Sequence, residues 1–351
     1  MTINVNPLNG IYISIYTRIN ADCQLMYPYS SGQFKNILPI PVNSYGLPDD
    51  DRTAGILKTI TCNPVDKLLV FDKSDGPIDN EMEYISWAEK LVPGREFIVV
   101  TSNYYYHFNK HPKIVHYPRY FFTLLNDKNL VNTPNIVDLR LHKISCLSRN
   151  PWIHKTLNLI AMRKQPWFDH VQKSFGWIYP ELEHQYEYLS TDVMNLITQD
   201  DANYLRSVYP LKLQMDDNLD KFESNACPTY QNCYIDYAPE SRHDQTFISE
   251  KTWKPIFSGQ FFFILGPCGV IEYLRDIGVD VFDDLIDHGY DNEPDLVAKI
   301  GMLMASITKF LENDLDQVWA NTLDRRRKNL ELVYSPDFQQ RMSADLFSRV
   351  S

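Results

Sequence analysis

Short apolar runs alternate with amphipathic stretches along the first 140 residues. Four runs predict strands: IYISIYT (11–17), KLLVFD (67–72), EFIVVTS (96–102) and KIVHYP (113–118). The stretch MEYISWAEKLV (82–92) carries apolar residues at helical spacing, and Pro93 with Gly94 predicts its end. Buried strands separated by a helix favour a parallel sheet with covering helices.

The second half of the chain repeats this alternation. Strands are predicted for ISCLS (144–148), CYIDYA (233–238) and FFFIL (261–265), and VFDDLI (281–286) begins like a strand. Helices are predicted over 150–164, with Pro151 near the first turn, and over 191–198, 270–279, 294–314 and most of 315–351.

Two halves of this kind predict an α/β protein with two facing, doubly wound, Rossmann-like domains. We place them at 1–140 and 141–330, and the helical tail 331–351 could return to the first domain. Ligands of such sheets bind outside the carboxyl ends of the strands, so the cleft between the domains is the expected site.

Composition narrows the class of partner. The 351 residues carry a net charge of -11, which disfavours nucleic acid as a partner without excluding a local basic groove. The basic run RRRK (325–328) is predicted to be a solvated helix face. No leader and no apolar stretch long enough for a membrane span are evident, so we expect a cytoplasmic protein. The scattered cysteines predict free thiols, although Cys227 and Cys233 could pair in an oxidising setting.

The stretch FISEKTWKPIFSGQFFFILGP (247–267) carries the most informative chemistry. Ser249 is a candidate N-cap, and Glu250 and Lys251 then fill the first turn of a helix. The lysine lies at the positive end of the helix dipole, a conflict that a bound anion would relieve. A carboxylate beside it could accept hydrogen bonds from both ribose hydroxyls. The pair therefore suits a nucleoside diphosphate, and the plainer alternative is a surface capping turn.

Pro255 lies inside the same predicted helix. It removes one backbone hydrogen bond and clashes with the preceding turn, which costs about 3 kcal/mol, so the helix should kink or start tightly wound. Such a cost is easier to understand where a helix shapes a ligand pocket.

The segment ISEKTWKPI, followed by a buried strand and a Gly-Pro turn, resembles the nucleotide-binding signature of the α1,3-fucosyltransferase-related glycosyltransferases. It is closer still to exostosin/fucosyltransferase-like viral and bacterial proteins with an S/T-E-K-T-W-K-P-I motif. The resemblance covers roughly 145–295 and includes CLSRNPWIHKTLNLIAM, YAPES and GVDVFDDLIDHGYD. It implies a two-domain GT-B fold, a nucleotide-activated sugar as donor and no required metal or other cofactor.

The resemblance also implies roles for individual residues. Glu250 would hold the nucleotide ribose and Lys251 the diphosphate, with Ser249 and Thr252 beside them. Arg149 or Lys155 would supply the second phosphate cation. The related pattern usually has arginine where this chain has Lys155, so the bidentate fork of an arginine is lost there. Glu240 would contact the sugar or the base.

The first half carries no recognisable signature. An inverting transfer needs a general base near the acceptor hydroxyl, and Asp75, followed by Asp72, is the candidate because FDKSDGP comes directly after a strand. Turn or cap residues are the alternative. Tyr105, His107 and Asn109, in TSNYYYHFN, could contact an acceptor sugar or serve as packing between the domains.

We therefore expect a metal-independent, inverting glycosyltransferase that moves a sugar from a nucleoside diphosphate to the hydroxyl of a glycan or another acceptor. The aspartate clusters at 49–51, 216–217 and 283–284 are predicted to be solvated turns rather than a metal site. Two alternatives stay open: a non-catalytic nucleotide-sugar or carbohydrate-binding protein, and a metal-dependent transferase of the single-domain type.

Overall fold

The computed structural model describes residues 37–41, 48, 50–62, 68–73, 81–125, 130–131, 133–148, 150–176, 190–211 and 227–350. The chain divides into two compact units. Unit 1 contains Met1–Asn126, Gln245–Ile248 and Tyr334–Ser351, and unit 2 contains Asp127–Asp244 and Ser249–Val333. The units divide at 126–127, whereas the sequence places the domain boundary near 140.

Unit 1 is built on a parallel sheet whose described strands follow one another in chain order. The strands are β1 (Ile37–Pro41), β2 (Leu68–Lys73), β3 (Phe97–Thr101) and β4 (Ile114–His116), in the order β1-β2-β3-β4. The helices of unit 1 are α1 (Asp50–Thr61), α2 (Glu81–Leu91), α3 (Tyr105–Phe108), α4 (Arg119–Leu125) and the C-terminal α14 (Pro336–Val350).

The C-terminal helix α14 packs within unit 1. Its Phe338 ring meets Phe121 of α4 edge to face, with ring centroids 5.4 Å apart. Asp345 forms an ion pair with Lys110 at 3.2 Å. The last 18 residues of the chain therefore belong with the first 126.

Unit 2 contains a second parallel sheet with a different strand order. The strands are β5 (His142–Ser148), β6 (Val171–Phe175), β7 (Cys233–Pro239) and β8 (Phe261–Leu265), in the order β6-β5-β7-β8. Its helices, in chain order, are α5 (Ile153–Arg163), α6 (Thr191–Met194), α7 (Gln199–Val208), α8 (Pro228–Asn232), α9 (Glu250–Phe257), α10 (Val270–Asp276), α11 (Leu296–Leu311), α12 (Leu315–Asn321) and α13 (Leu323–Tyr334).

Aromatic side chains fill one side of the unit 2 sheet. The ring of Phe261 on β8 makes edge contacts with Phe282, Phe310 and Trp319 at centroid distances of 4.9 to 5.8 Å. Arg326 lies over the Trp319 ring at 3.3 Å and is 1% exposed. The prediction that RRRK is a solvated face is therefore wrong for Arg326, whose guanidinium is buried against Trp319.

Most predicted elements are present with small shifts at their ends. The predicted strand start at 281–286 is wrong: Phe282 has a φ of 63°, in the left-handed region, and its N–H bonds to Asp280, so the extended run stops there. Strand β1 was not predicted because its Pro39 and Pro41 have no backbone N–H to donate to a neighbouring strand. The strand lies at the end of the described strand order, where such residues are tolerated. The predicted strand at 11–17 lies outside the described residues.

The prediction of an α/β fold with parallel sheets is confirmed. No described helix combines the length and the apolar character needed to cross a membrane.

Candidate functional site

The strand order of unit 2 creates a switch point between β5 and β7. The chain leaves β5 for β6 on one side, and it leaves β7 for β8 on the other side. All four strands are parallel, so the carboxyl ends of β5 and β7 open at one edge of the sheet, where doubly wound folds bind ligands. The described strands of unit 1 have no such reversal.

Glu240 follows β7 directly and organises the N-terminus of helix α9. It is fully buried, and each of its carboxylate oxygens accepts three hydrogen bonds. The donors are the backbone N–H groups of Ser241, Ser249 and Thr252 and the hydroxyls of Ser249, at 2.5 Å, and Thr252, at 2.6 Å. A carboxylate in this position satisfies N–H groups that a helix start leaves without partners. The acid therefore fixes where helix α9 begins and how it points.

Helix α9 begins as the sequence predicts. Ser249 is its N-cap, with an extended backbone, and its hydroxyl accepts from the N–H of Lys251 at 3.4 Å. The helix continues through Pro255, whose nitrogen has no hydrogen to donate to the Lys251 carbonyl. It ends before Gly259, which has a φ of 64°. A Cβ at Gly259 would lie 2.6 Å from Ile136 Cγ2, so this turn has no room for a larger residue.

Glu250 and Lys251 form a nearly buried ion pair at the start of α9. Their side chains are 9% and 12% exposed, and Lys251 Nζ lies 2.7 Å from Glu250 Oε1. The same ammonium donates to the hydroxyls of Ser241 at 3.1 Å and Ser249 at 3.3 Å. Burial raises the pKa of Glu250, but the charges of Lys251 and then Lys254 outweigh it and lower the pKa to about 2. Glu250 is therefore a permanent acceptor at neutral pH.

Lys155 reaches the same place from helix α5, which follows β5. It is 2% exposed. Burial, and then the charge of Lys251, lower the pKa of Lys155 to about 7, against the opposing effect of Glu240 and Glu250. Among the described residues, no hydrogen-bond acceptor and no ion-pair partner is present for its ammonium group. The Lys155 amine therefore lies at the switch point near the Glu240 and Glu250 carboxylates, which favour its charge, but without a direct ion pair to either.

Two further buried groups lie beneath the first turn of α9. Lys254 is 4% exposed, one turn after Glu250, and its ammonium lies 5.7 Å from the centre of the Tyr230 ring. Asp236, in the middle of β7, accepts from the Ser145 hydroxyl at 2.8 Å. Burial raises the pKa of Asp236 to about 7. Sequence reasoning missed Lys254, although its spacing of four from Glu250 places both on one helix face.

A histidine joins α5 to the turn after β7. The Nε2 atom of His154 lies 2.9 Å from the Glu240 carbonyl oxygen, and its ring is tilted against that of His243, with centroids 4.8 Å apart. Burial, together with the neighbouring Lys155 charge, holds the pKa of His154 well below its usual value. The imidazole is therefore neutral and donates through Nε2, which keeps α5 in register with Glu240.

The structure thus brings together a large part of the predicted donor site. These residues meet at the carboxyl edge of the unit 2 sheet: Lys155, Glu240, Ser249, Glu250, Lys251 and Thr252. Ser241 joins them through Lys251, which sequence reasoning did not foresee. Arg149 lies outside the described residues.

The predicted acceptor residues are all in unit 1. Asp72 lies near the end of β2, and Asp75 lies outside the described residues. Tyr105 is half exposed at the start of the short helix α3. The His107 ring meets that of His116 at 5.7 Å, and the Asn109 amide donates to the Tyr105 carbonyl at 3.1 Å.

A metal site would favour a metal-dependent transferase, and a free basic surface would favour a nucleic-acid partner. In the described part of the chain, no three His, Cys, Asp or Glu side chains form a group that could hold a metal ion. In the basic run, Arg325 pairs with Asp280 and Asp284, and Arg327 pairs with Asp324.

Two comparisons with known proteins found no match. No protein-family model matches the chain, and no curated protein matches it significantly. We therefore infer function from the residues themselves and from the geometry of unit 2.

Proposed function

We propose that unit 2 binds a nucleoside diphosphate sugar at the N-terminus of helix α9, and that the protein is a metal-independent glycosyltransferase. One observation carries the proposal: Glu250, Lys251 and Lys155 converge, almost fully buried, on a helix N-terminus at the switch point of a parallel sheet. A surface capping turn would leave Lys155 and Lys251 exposed to solvent, whereas both are largely buried.

The charges at this place suit a diphosphate. Moving the pKa of a lysine from 10.5 to about 7 corresponds to a cost of about 5 kcal/mol for keeping its ammonium charged. A diphosphate beside Lys155 and Lys251 would offset that cost, and its oxygens would also accept hydrogen bonds from the N–H groups of the helix N-terminus. Protein interiors otherwise avoid cations without a counterion, so a ligand anion is the simplest compensation.

Glu250 is suited to the sugar of the nucleotide. With a pKa of about 2 it accepts hydrogen bonds at any physiological pH, as a ribose diol requires. Lys251 holds its carboxylate in place at 2.7 Å. Glu240, with six hydrogen bonds already made, would act by positioning α9 rather than by touching the sugar or base directly.

In the reaction we propose, unit 2 stabilises the departing diphosphate with Lys251, Lys155 and backbone N–H groups. A carboxylate of unit 1, Asp75 or Asp72, deprotonates the acceptor hydroxyl, which then attacks the anomeric carbon with inversion. The finer fold assignment, two facing Rossmann-like domains of the GT-B type, is part of this proposal.

A binding panel tests the proposal. UDP-glucose, GDP-mannose, ADP-glucose, dTDP-glucose and a CMP-sugar are each added to the full chain during thermal unfolding. The correct donor at a hundredfold excess over its Kd should stabilise the protein by about 2.7 kcal/mol. Glu250→Gln should abolish the response, whereas Glu331→Gln, the same change at an exposed helix position, should keep it. If no nucleotide sugar stabilises the protein, the proposal is wrong.

Turnover separates an enzyme from a binding protein. Release of the nucleoside diphosphate, by hydrolysis or by transfer to added glycans, is expected and should survive excess EDTA. Tight binding with no release under any acceptor would favour a non-catalytic nucleotide-sugar-binding protein. Activity lost with EDTA and restored by a divalent cation would favour the metal-dependent alternative.

A further inference from the structure

Lys155 differs from a phosphate-binding residue whose positive charge is permanent. An arginine stays charged in almost any environment, but a buried lysine can lose its proton. Lys155 is 2% exposed, and within the described part of the chain its amine forms no hydrogen bond or direct ion pair, although Glu240 and Glu250 lie near enough to favour its charge. Protonating its amine therefore costs free energy until an anion binds beside it.

We propose that the Lys155 charge is completed on binding, so that entry of the donor diphosphate into unit 2 draws up to one proton from solvent. This inference rests on the proposed function for the identity of the donor, but its electrostatic core applies to any phosphate or sulfate group at the site. The bound anion supplies a counterion in direct contact, which neither Glu240 nor Glu250 provides, and the amine becomes an ammonium that donates to it.

Three neighbours of Lys155 have pKa values shifted away from neutrality, so they do not titrate with it. On α9, Glu250 has a pKa of about 2 and stays ionised, and Lys251 forms an ion pair with it at 2.7 Å. On β5, burial raises the pKa of the Cys146 thiol, which stays neutral. On α5 itself, the low pKa of His154 keeps that ring neutral. Glu240 is a further acidic side chain that acts on Lys155, and six hydrogen bonds hold it in place.

One buried group near the site could produce a similar signal. Asp236 on β7, which interacts with Lys254, also has a pKa of about 7. An approaching anion would favour its protonated form too. A test must therefore distinguish Lys155 from Asp236, and substituting Lys155 does so.

Calorimetry measures the proton directly. Binding is titrated in buffers of different ionisation enthalpy at pH 6, 7 and 8, with the nucleotide sugar that gives the largest thermal shift and with sulfate. Neither anion changes its own protonation in this range. From a pKa of about 7 in the free protein, uptake should be about 0.1, 0.5 and 0.9 proton, and affinity should fall about tenfold from pH 6 to pH 8.

Two variants assign the proton. Lys155→Arg carries a permanent charge, so its proton uptake should be zero, and its affinity, whatever its size, should be the same at pH 6 and pH 8. Lys155→Met should bind weakly at every pH, with no uptake. If Lys155→Arg still takes up a proton, the source is another group such as Asp236 and the inference is wrong. If Lys155→Arg does not fold, zero uptake by the unsubstituted protein at pH 8 is enough to overturn it.

The outcomes also separate this inference from the proposed function. Sulfate binding with proton uptake, without binding of any nucleotide sugar, would keep the inference and reject the glycosyltransferase. Nucleotide-sugar binding without uptake would reject the inference and keep the proposed function. Absence of binding by both anions would reject both.

Discussion

The carboxylate of Glu240 allows the sharpest test of how the site is built. We consider Glu240→Gln, which keeps the size of the side chain and replaces one acceptor oxygen by an amide NH₂ group. The hydroxyls of Ser249 and Thr252 can turn to accept from that group. Backbone N–H groups cannot turn. Depending on which way the amide points, the N–H of Ser241 or of Thr252 then faces another donor.

The expected cost follows from these contacts. One backbone donor left without its acceptor costs about 1–3 kcal/mol. The remaining hydrogen bonds lose their charge assistance, since bonds to charged groups contribute about 1.5–3 kcal/mol and neutral ones about 1 kcal/mol. Together these losses lower the free energy of unfolding of unit 2 by about 3–5 kcal/mol, the range for breaking a buried charged network.

Thermal unfolding measures the effect. At about 2–4 °C per kcal/mol for a unit of this size, the transition of unit 2 should move down by about 10 °C. The donor response of the variant should weaken as well, because the N-terminus of α9 loses its anchor. Glu331→Gln, on the exposed side of α13, should move the transition by about 1 °C or less.

A shift of under about 2 °C for Glu240→Gln, indistinguishable from the Glu331→Gln control, would refute this reasoning. Helix α9 would then be held by packing alone, and the six hydrogen bonds of Glu240 would contribute no net stability.

Two further predictions concern the frame around the site. Arg326→Met removes a guanidinium stacked on Trp319 and the donors to two backbone carbonyls, and it should lower the free energy of unfolding by about 3 kcal/mol in a denaturant titration. Gly259→Ala places a Cβ at a left-handed φ with no room for it, and it should cost about 1–3 kcal/mol by the same measurement.

Matched variants make both results interpretable. Arg327→Met removes a half-exposed ion pair with Asp324 and should cost under about 1 kcal/mol. Gly301→Ala, inside helix α11 with no atom within 4 Å of the new Cβ, should stabilise by about 0.5–1 kcal/mol. Equal losses for Arg326→Met and Arg327→Met, or a gain for Gly259→Ala, would contradict the packing described here.

Sequence reasoning succeeded where the signal is local. Helix α9 begins at Glu250 because Ser249 caps it, and both facts can be read from a serine followed by an acidic residue ahead of an apolar pattern. It was misled where a local pattern is overridden. The run VFDDLI has the composition of a strand start, but Phe282 packs against Phe261 with a left-handed backbone, which no pattern of apolar residues reveals.

The amino-acid pattern was enough to predict the parallel α/β class, most of the strands and helices, and an acid next to a base at one helix start. These depend on periodicity and capping within a few residues. The folded chain was needed to show that β5 and β7 are neighbours, that Lys155 lies buried near Lys251 without a direct ion pair, and that Glu240 holds the start of α9. The first two facts join residues 91 and 96 positions apart, and the third joins Glu240 to residues 9 and 12 positions later. Burial and Coulomb interactions between such residues exist only once the sheet has formed.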